Sequence, residues 1–390
     1  MKHTEHMYTG FLNIYKEAGF TSHDVVAKLR GILRQKKIGH LGTLDPNAEG
    51  CLPVALGRAT KAISLLEDHT KAYDAVLLLG KETDTYDIWG ETTAEHEVNV
   101  SEEEVAEILL SFVGPQQQVP PMYSARKQNG KHLYELAREG KIVERPSVPV
   151  YIDSITIKRI DLPRVSFHVE CSKGTYIRSL CHDVGEKLAC GGCMESLLRT
   201  RAGSFYLEQA HRLSDIERWM RDRRDSVFAL AEEGMENASQ KKEGSLPELI
   251  PIEAAFANLP GVICSSQAET RAINGAILEP VDITRILPPD DYLTEHSINE
   301  TNSYYIEEMG VFESVEGEED RRFLLNDKSV NRAYCIDYFL NSWEREFAGT
   351  KSERAGEKSA MVRVYLDSNK FLGIYKWSGK KFRPRKVFIQ

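Results

Sequence analysis

Long apolar runs are missing from these 390 residues: none approaches the roughly 18 consecutive positions that cross a bilayer as a helix, so no helical membrane span is expected. The opening residues Met1 to His6 also lack the apolar stretch of a secretory signal. Cysteine is scarce and irregular. The seven present are odd in number and lack the spacing of a disulfide framework, which makes a reducing cytoplasm the expected compartment. No internal repeat is found. What remains is the composition of an ordinary folded protein, 41% apolar and 28% charged, with chain enough for roughly two domains and a substantial core.

Basic charge is not in excess either, and the formal net charge of −9 argues against a nucleic-acid partner until its distribution is considered. Residues 281–360 hold 18 acidic side chains against 9 basic ones, so the whole excess sits in that segment and the remainder is balanced. Within the remainder, Met361 to Gln390 carries eight basic residues against Asp367 alone, and Lys28 to Lys61 carries seven against Asp45 and Glu49. Such patches can meet phosphates on a chain that is acidic overall, although a mixed, solvated surface accounts for either patch taken singly.

The pattern of elements is mixed. Thr21-Ser22-His23-Asp24 opens a predicted helix whose apolar face is Val25, Val26, Leu29, Ile32 and Leu33. Gly39 to Gly50 reads as a glycine-punctuated loop. Tyr73 to Gly80 reads as a buried strand with Tyr73, Ala75, Leu77 and Leu79 on one side. Ser101-Glu102-Glu103-Glu104 is a capping box ahead of Val105, Ile108, Leu109 and Phe112, and Gly114-Pro115 is the stop. Val165, Phe167, Val169 and Cys171 alternate as a strand, and Ile177, Leu180, Cys181, Val184 and Leu188 form a helical stripe ending at Gly191-Gly192. No regular βαβ rhythm appears, which predicts α+β rather than a doubly wound sheet. The polar run Ala231 to Ser245 is the expected boundary between domains. Beyond it, strands are expected around Val362 to Leu366, Phe371 to Tyr375 and Val387 to Ile389.

The most informative stretch is Gly39-His40-Leu41-Gly42-Thr43-Leu44-Asp45-Pro46-Asn47-Ala48-Glu49-Gly50. Read locally, Asp45 before Pro46 is a helix N-cap with proline at the first helical position. The flanking glycines also let backbone approach a bulky ligand closely, and a carboxylate presented from such a loop could act as a nucleophile. With Cys51-Leu52-Pro53-Val54-Ala55-Leu56-Gly57-Arg58-Ala59-Thr60-Lys61 after it, the stretch resembles the catalytic signature of the TruB family of tRNA pseudouridine synthases. Four further motifs resemble that family in its own order. They are Tyr15-Lys16-x-x-Gly19-x-Thr21-Ser22, the run from Pro120-Pro121-Met122-Tyr123-Ser124-Ala125 to Ala137-Arg138, Cys171-Ser172-Lys173-Gly174-Thr175-Tyr176-Ile177-Arg178, and Leu197-x-Arg199-Thr200-Arg201-x-Gly203-x-Phe205. Glu17, Leu198 and Ser204 depart from the family's usual residues at positions with no assigned chemistry.

The resemblance implies an isomerase that breaks the N1–C1′ bond of the T-loop uridine at position 55 of tRNA, turns the uracil and joins C5 to C1′, with no cofactor and no metal. It assigns the reacting carboxylate to Asp45 and makes Arg178 its partner, a planar guanidinium suited to two-point pairing. A surface arginine is the plain alternative, but a cation in the first turn of a helix faces the positive end of the dipole, which points to an anionic partner elsewhere. Tyr73, otherwise an ordinary core aromatic, becomes the residue stacking on uracil and the candidate base for the C5 proton. Tyr176 and Leu197 match positions lining the uridine pocket, and His40, otherwise a structural histidine, one that holds the reorganised RNA loop. The target base must be extruded from the folded RNA, at a few kcal/mol, before Asp45 can reach it. Lys16, Lys36, Lys37, Arg58, Lys127 and Lys131 are candidate phosphate contacts.

The expected architecture is a catalytic core over residues 1–230, a mixed, largely antiparallel sheet with flanking helices, then a linker at 231–248. A small PUA-like β-barrel over 249–390 follows, interrupted by an acidic insertion at about 281–360 and touching the acceptor arm of tRNA. Disorder is expected at Glu316 to Asp320. One copy suffices for this design, so a monomer is expected. Cys190-Gly191-Gly192-Cys193 has the spacing of a zinc knuckle, but no second Cys-x-x-Cys exists to complete a site. Two other readings remain open at this stage: an RNA-binding or RNA-folding protein without catalysis, and a synthase guided by a separate RNA.

Overall fold

Alternating apolar residues build one large sheet from the first 206 residues. In the computed structural model, residues 8–66, 70–128, 130–141, 143–232, 249–287 and 360–388 are described, with positions 323–324, 336 and 340. The chain divides into two units, Met1–Leu249 and Ile250–Gln390. In the first, the strands are β1 (Gly10–Lys16), β2 (Ile38–His40), β3 (Glu49–Leu56), β4 (Lys71–Leu79), β5 (Gly114–Gln118), β6 (Val148–Asp161), β7 (Arg164–Cys171), β8 (Gly192–Ala202) and β9 (Phe205–Tyr206). They pair in the order β1-β3-β8-β4-β7-β6-β5, with β2 on β3 and β9 on β8. Every pairing is antiparallel except β3 with β8. The sheet is therefore mixed, and the protein α+β.

Tyr73, Ala75, Leu77 and Leu79 of β4 and Val165, Phe167, Val169 and Cys171 of β7 are all buried, as period-two alternation dictates. They pack in one core with Ile177, Leu180, Cys181 and Val184 of helix α3 (Ile177–Lys187). Helix α1 (Ser22–Leu33) starts at Thr21, whose side chain caps the Asp24 amide while Asp24 returns the bond, and its turn ends at Arg34 with φ 50°. Helix α2 (Glu102–Leu110) is capped in the same way by Ser101 and Glu104.

Two of the longer helices went unanticipated. Helix α4 (Leu213–Glu232) buries Leu213 and Ile216 and packs Trp219 and Met220 at helical spacing, a stripe obscured by the charges between. Helix α5 (Ser266–Ile273) in the second unit buries only Ala268 and Ala272, too little apolar area to announce itself.

The second unit is a six-stranded sheet. Its strands are β10 (Gly261–Cys264), β11 (Ile283–Leu287), β12 (Phe323–Leu324), β13 (Met361–Tyr365), β14 (Phe371–Trp377) and β15 (Phe382–Val387), in the order β12-β11-β10-β13-β14-β15. The last strand begins five residues earlier than expected, because Phe382 rather than Val387 anchors it in the core, while Pro384 is tolerated on an edge strand. The opening of the acidic segment belongs to this sheet, since β11 pairs with β10. Most of the remainder of 281–360, Glu316 to Asp320 included, lies outside the described residues, as do 233–248 of the linker. Among the described residues no helix is long and apolar enough to cross a membrane.

Two glycines fix the geometry around the loop that follows β2. Gly50 has φ +104°, and a Cβ there would lie 2.4 Å from the Arg199 carbonyl oxygen, where β3 and β8 run parallel. Gly185 lets α3 close on the start of β8, because a Cβ would lie 2.2 Å from the Gly192 nitrogen. Gly50→Ala is therefore expected to destabilise the protein by at least about 1–3 kcal/mol from backbone strain alone, read as a lowered midpoint in urea. An unchanged midpoint would contradict this account of the crossing.

Candidate active site

The loop between β2 and β3 is held from below. Ser22, at the start of α1, accepts from the Leu44 amide at 2.9 Å and donates to the Leu44 carbonyl at 3.2 Å. Lys16 Nζ donates to the Pro46 carbonyl at 2.8 Å, and the Gly19 amide donates to the same oxygen at 3.0 Å. Asp45 caps no helix. The Ala48 amide donates to the Asp45 carbonyl at 3.1 Å, closing a turn, and β3 begins at Glu49, which leaves no room for the helix that the local Asp-Pro reading predicts.

This turn presents the Asp45 side chain 39% exposed, against a guanidinium that is 5% exposed. Arg178 Nε lies 2.9 Å from Asp45 Oδ2, and Nη2 donates to Oδ1 at 3.1 Å, a two-point pairing. The other donors of Arg178 are used as well: Nη1 donates to the Thr85 carbonyl at 3.0 Å and sits 3.6 Å from Asp87 Oδ2, and Nη2 donates to the Tyr123 carbonyl at 2.9 Å. Burial raises the Asp87 carboxyl above its ordinary range, opposed by its bond from Thr85 and by Arg178. Arg178 occupies the first turn of α3, whose start is clamped by the Gln118 amide: Gln118 Oε1 accepts from the Tyr176 amide at 2.8 Å and Nε2 donates to its carbonyl at 3.0 Å. Tyr176 is thereby fixed, half-buried, two residues from Arg178.

Adjacent strands bring the remaining candidates together. Tyr73 on β4 stands opposite Arg199 on β8, and Ala75 stands opposite Leu197, so these four side chains share one face. Tyr73 and Leu197 are both buried. Burial pushes the Tyr73 phenol up to about 12; Arg199 pulls the other way, and the Asp45 charge adds to the rise. His40, at the end of β2, stacks edge-on against His23 with ring centroids 5.2 Å apart, and its Nδ1 is buried without a hydrogen-bond partner. Burial lowers its pKa to about 4, with His23 and Arg199 adding to the effect, so the ring is neutral at pH 7.

Three features escaped the sequence reading. Asp87, Thr85 and the Tyr123 carbonyl complete the surroundings of Arg178; Tyr123 lay within a quoted motif, but nothing local marks a carbonyl as a ligand. Arg199, also within a motif, is buried beneath the loop. Lys16 is 0% exposed, so it is not a surface phosphate contact: its ammonium supports the Pro46 and Glu17 carbonyls, and burial brings its pKa down to about 8. Lys36, Lys37, Arg58 and Lys127 are exposed, and Lys131 pairs with Glu139 at 3.2 Å. Among the described residues, His182, Asp183 and Glu186 alone bring three possible metal-ligating atoms together; neither Cys190 nor Cys193 belongs to that group, and burial raises both thiols.

A mixed sheet with flanking helices thus presents a carboxylate held by a buried arginine. Residues 30–177 match the family described as TruB family pseudouridylate synthase (N terminal domain), and residues 178–238 match the tRNA pseudouridylate synthase B C-terminal domain. Proteins named tRNA pseudouridine synthase B are similar to the chain. The one from Clostridium novyi (strain NT) is 52% identical over 207 residues, 53% of this chain and 72% of the relative. The one from Lachnoclostridium phytofermentans is 45% identical over 274 residues, 68% of this chain and 83% of the relative. The solved structure of a Cbf5-Nop10-Gar1 complex contains a chain sharing the fold, with a TM-score of 0.59 at 24% identity over 98% of this chain and 85% of that one. The chain belongs to the TruB family of pseudouridine synthases.

The unfolded His40 side chain takes up a proton near pH 6.5, whereas the folded one resists until about 4. Between those values the unfolded state binds more protons, so stability falls as the pH drops through this window and is unaffected by His40 above it. The melting temperature of His40→Gln should therefore fall less than that of the unsubstituted protein between pH 7 and pH 4. Parallel curves would show that the buried imidazole is not the cause.

Proposed function

We propose that this protein converts the T-loop uridine at position 55 of tRNA to pseudouridine, with Asp45 as the reacting carboxylate and no cofactor. The names of its relatives support tRNA as the substrate class. The observation that carries the mechanism is a carboxylate exposed on one edge and gripped on the other by a nearly inaccessible guanidinium. Such a group is held in one orientation while remaining open to a nucleoside. The reaction breaks N1–C1′ and makes C5–C1′; the proton lost from C5 is balanced by one gained on N1, so nothing is oxidised and nothing leaves. Whether the carboxylate engages C1′, the base or the 2′ proton, it must be ionised to do so.

Tyr73 stacks on the uracil, with Tyr176 and Leu197 lining the pocket and His40 holding the displaced RNA loop. With its phenol pushed up to about 12, Tyr73 is ionised in only about one molecule in 10⁵ at pH 7. Burial of Tyr73 therefore favours its stacking role over proton transfer. Lys36, Lys37, Arg58 and Lys127 meet backbone phosphates, while the second, PUA-like unit meets the acceptor arm through exposed Arg383 and Arg385 on β15. The protein works as a cytoplasmic monomer in this reading.

The test uses tRNA tritiated at uridine C5, since isomerisation releases the label to water. Asp45→Asn should reduce release by more than about a thousandfold and leave tRNA affinity within about twofold. It should also fold, because Arg178 keeps Asp87 and the two carbonyls. Replacing uridine 55 by cytidine in the transcript should eliminate release from that position. Folded protein that releases nothing from bare tRNA would overturn the proposal and favour a guided or non-catalytic role.

A further inference from the structure

Arg199 is a buried cation, 1% exposed, and among the described residues no carboxylate lies within ion-pair distance of it. A guanidinium in such a place is costly unless its donors are satisfied. They are satisfied by backbone carbonyls of the loop and of the strand β3 that follows it. Nε donates to the Cys51 carbonyl at 2.7 Å, Nη2 to the Gly42 carbonyl at 3.2 Å and Nη1 to the Thr43 carbonyl at 3.4 Å. Gly42 and Thr43 lie on the arm entering the Asp45 turn, and Cys51 lies on the arm leaving it. One rigid, planar group therefore bridges both arms, which a lysine ammonium at the end of a flexible stem could not do. Tyr73 is the cross-strand partner of Arg199 on β4. Gly42, whose φ is +73°, supplies the left-handed backbone of the arm that Arg199 binds.

We infer that Arg199 is a positioning residue for the reaction: it ties the arm entering the Asp45 turn to the start of β3, so that Asp45 meets Arg178. Among the described residues it makes no contact with the Asp45 side chain and acts through the backbone that carries it. This inference rests on the role proposed above for Asp45.

The experiment compares full-length Arg199→Met and Arg199→Lys with the unsubstituted protein, measuring kcat and KM for label release from tRNA and amide hydrogen exchange across the chain. A displacement of about 1 Å at a reacting group is enough for a loss of about 100-fold. Arg199→Met should accordingly lose about 100-fold in kcat with KM for tRNA within about threefold. Arg199→Lys, which keeps the charge but reaches one arm, should lose about tenfold. Exchange should rise in peptides covering 41–50, while those of β4 and β8 stay protected. A kcat within about threefold of the unsubstituted value in both variants would overturn the inference, as would a uniform rise in exchange across the sheet, which would mark Arg199 as structural filler. Should Arg199→Met fail to fold, Arg199→Lys carries the test by the same criteria. Asp45→Asn separates the two levels. If it retains full release, the site reading itself fails; if it is inactive while the Arg199 variants keep their kcat, only the clamp fails.

Discussion

The pairing of Asp45 with Arg178 joins side chains 133 positions apart and determines what the surrounding structure must do. An arginine in the first turn of a helix opposes the helix dipole, typically by a few tenths to 1 kcal/mol. Burial of its guanidinium adds to that cost. Both are offset because four groups converge on it: the Asp45 and Asp87 carboxylates and the carbonyls of Thr85 and Tyr123. Of the two carboxylates, Asp45 is the more exposed to solvent, 39% against 13% for Asp87.

Beneath the loop lies a second arrangement of charge. Lys16 and Arg199 are both inaccessible, and both spend their donors on backbone carbonyls flanking Asp45 rather than on acids. Two fixed cations under a loop of a dozen residues favour a negative group above it, and the Asp45 charge in turn moderates the fall in the Lys16 pKa. The glycines at 42 and 50 belong to the same design: both have positive φ, and Gly50 leaves space that the Arg199 backbone occupies.

Much of this was legible in the sequence. The capping pairs Thr21–Asp24 and Ser101–Glu104, the buried faces of β4 and β7 and the stripe of α3 all follow from local periodicity and hydrogen-bonding chemistry. The motifs contained Asp45, Arg178, Tyr176 and Leu197 and the resemblance added Tyr73, and the fold brings strands β3, β4 and β8 side by side. The failures share one cause, namely tertiary ties that outweigh local preference. Asp45-Pro46 reads as a helix cap until Lys16 and Gly19 bind the Pro46 carbonyl. Lys16 reads as a surface cation until the loop folds over it. Asp87 and the carbonyls around Arg178 carry no sequence signal, because a backbone oxygen looks the same at every position. Helix α5 buries two alanines, and so small an apolar face leaves no periodic trace.

The parallel contact between β3 and β8 has a consequence for how the protein is made. The loop with Asp45 leaves the ribosome early, whereas Arg178 and Arg199 emerge more than a hundred residues later. At about 5–20 residues per second, the amino-terminal strands wait roughly 8–30 seconds for the strand that will lie between β3 and β4. During synthesis the Asp45 turn is therefore an unassembled fragment, and a nascent chain cut short before β8 lacks the strand that joins β3 to β4.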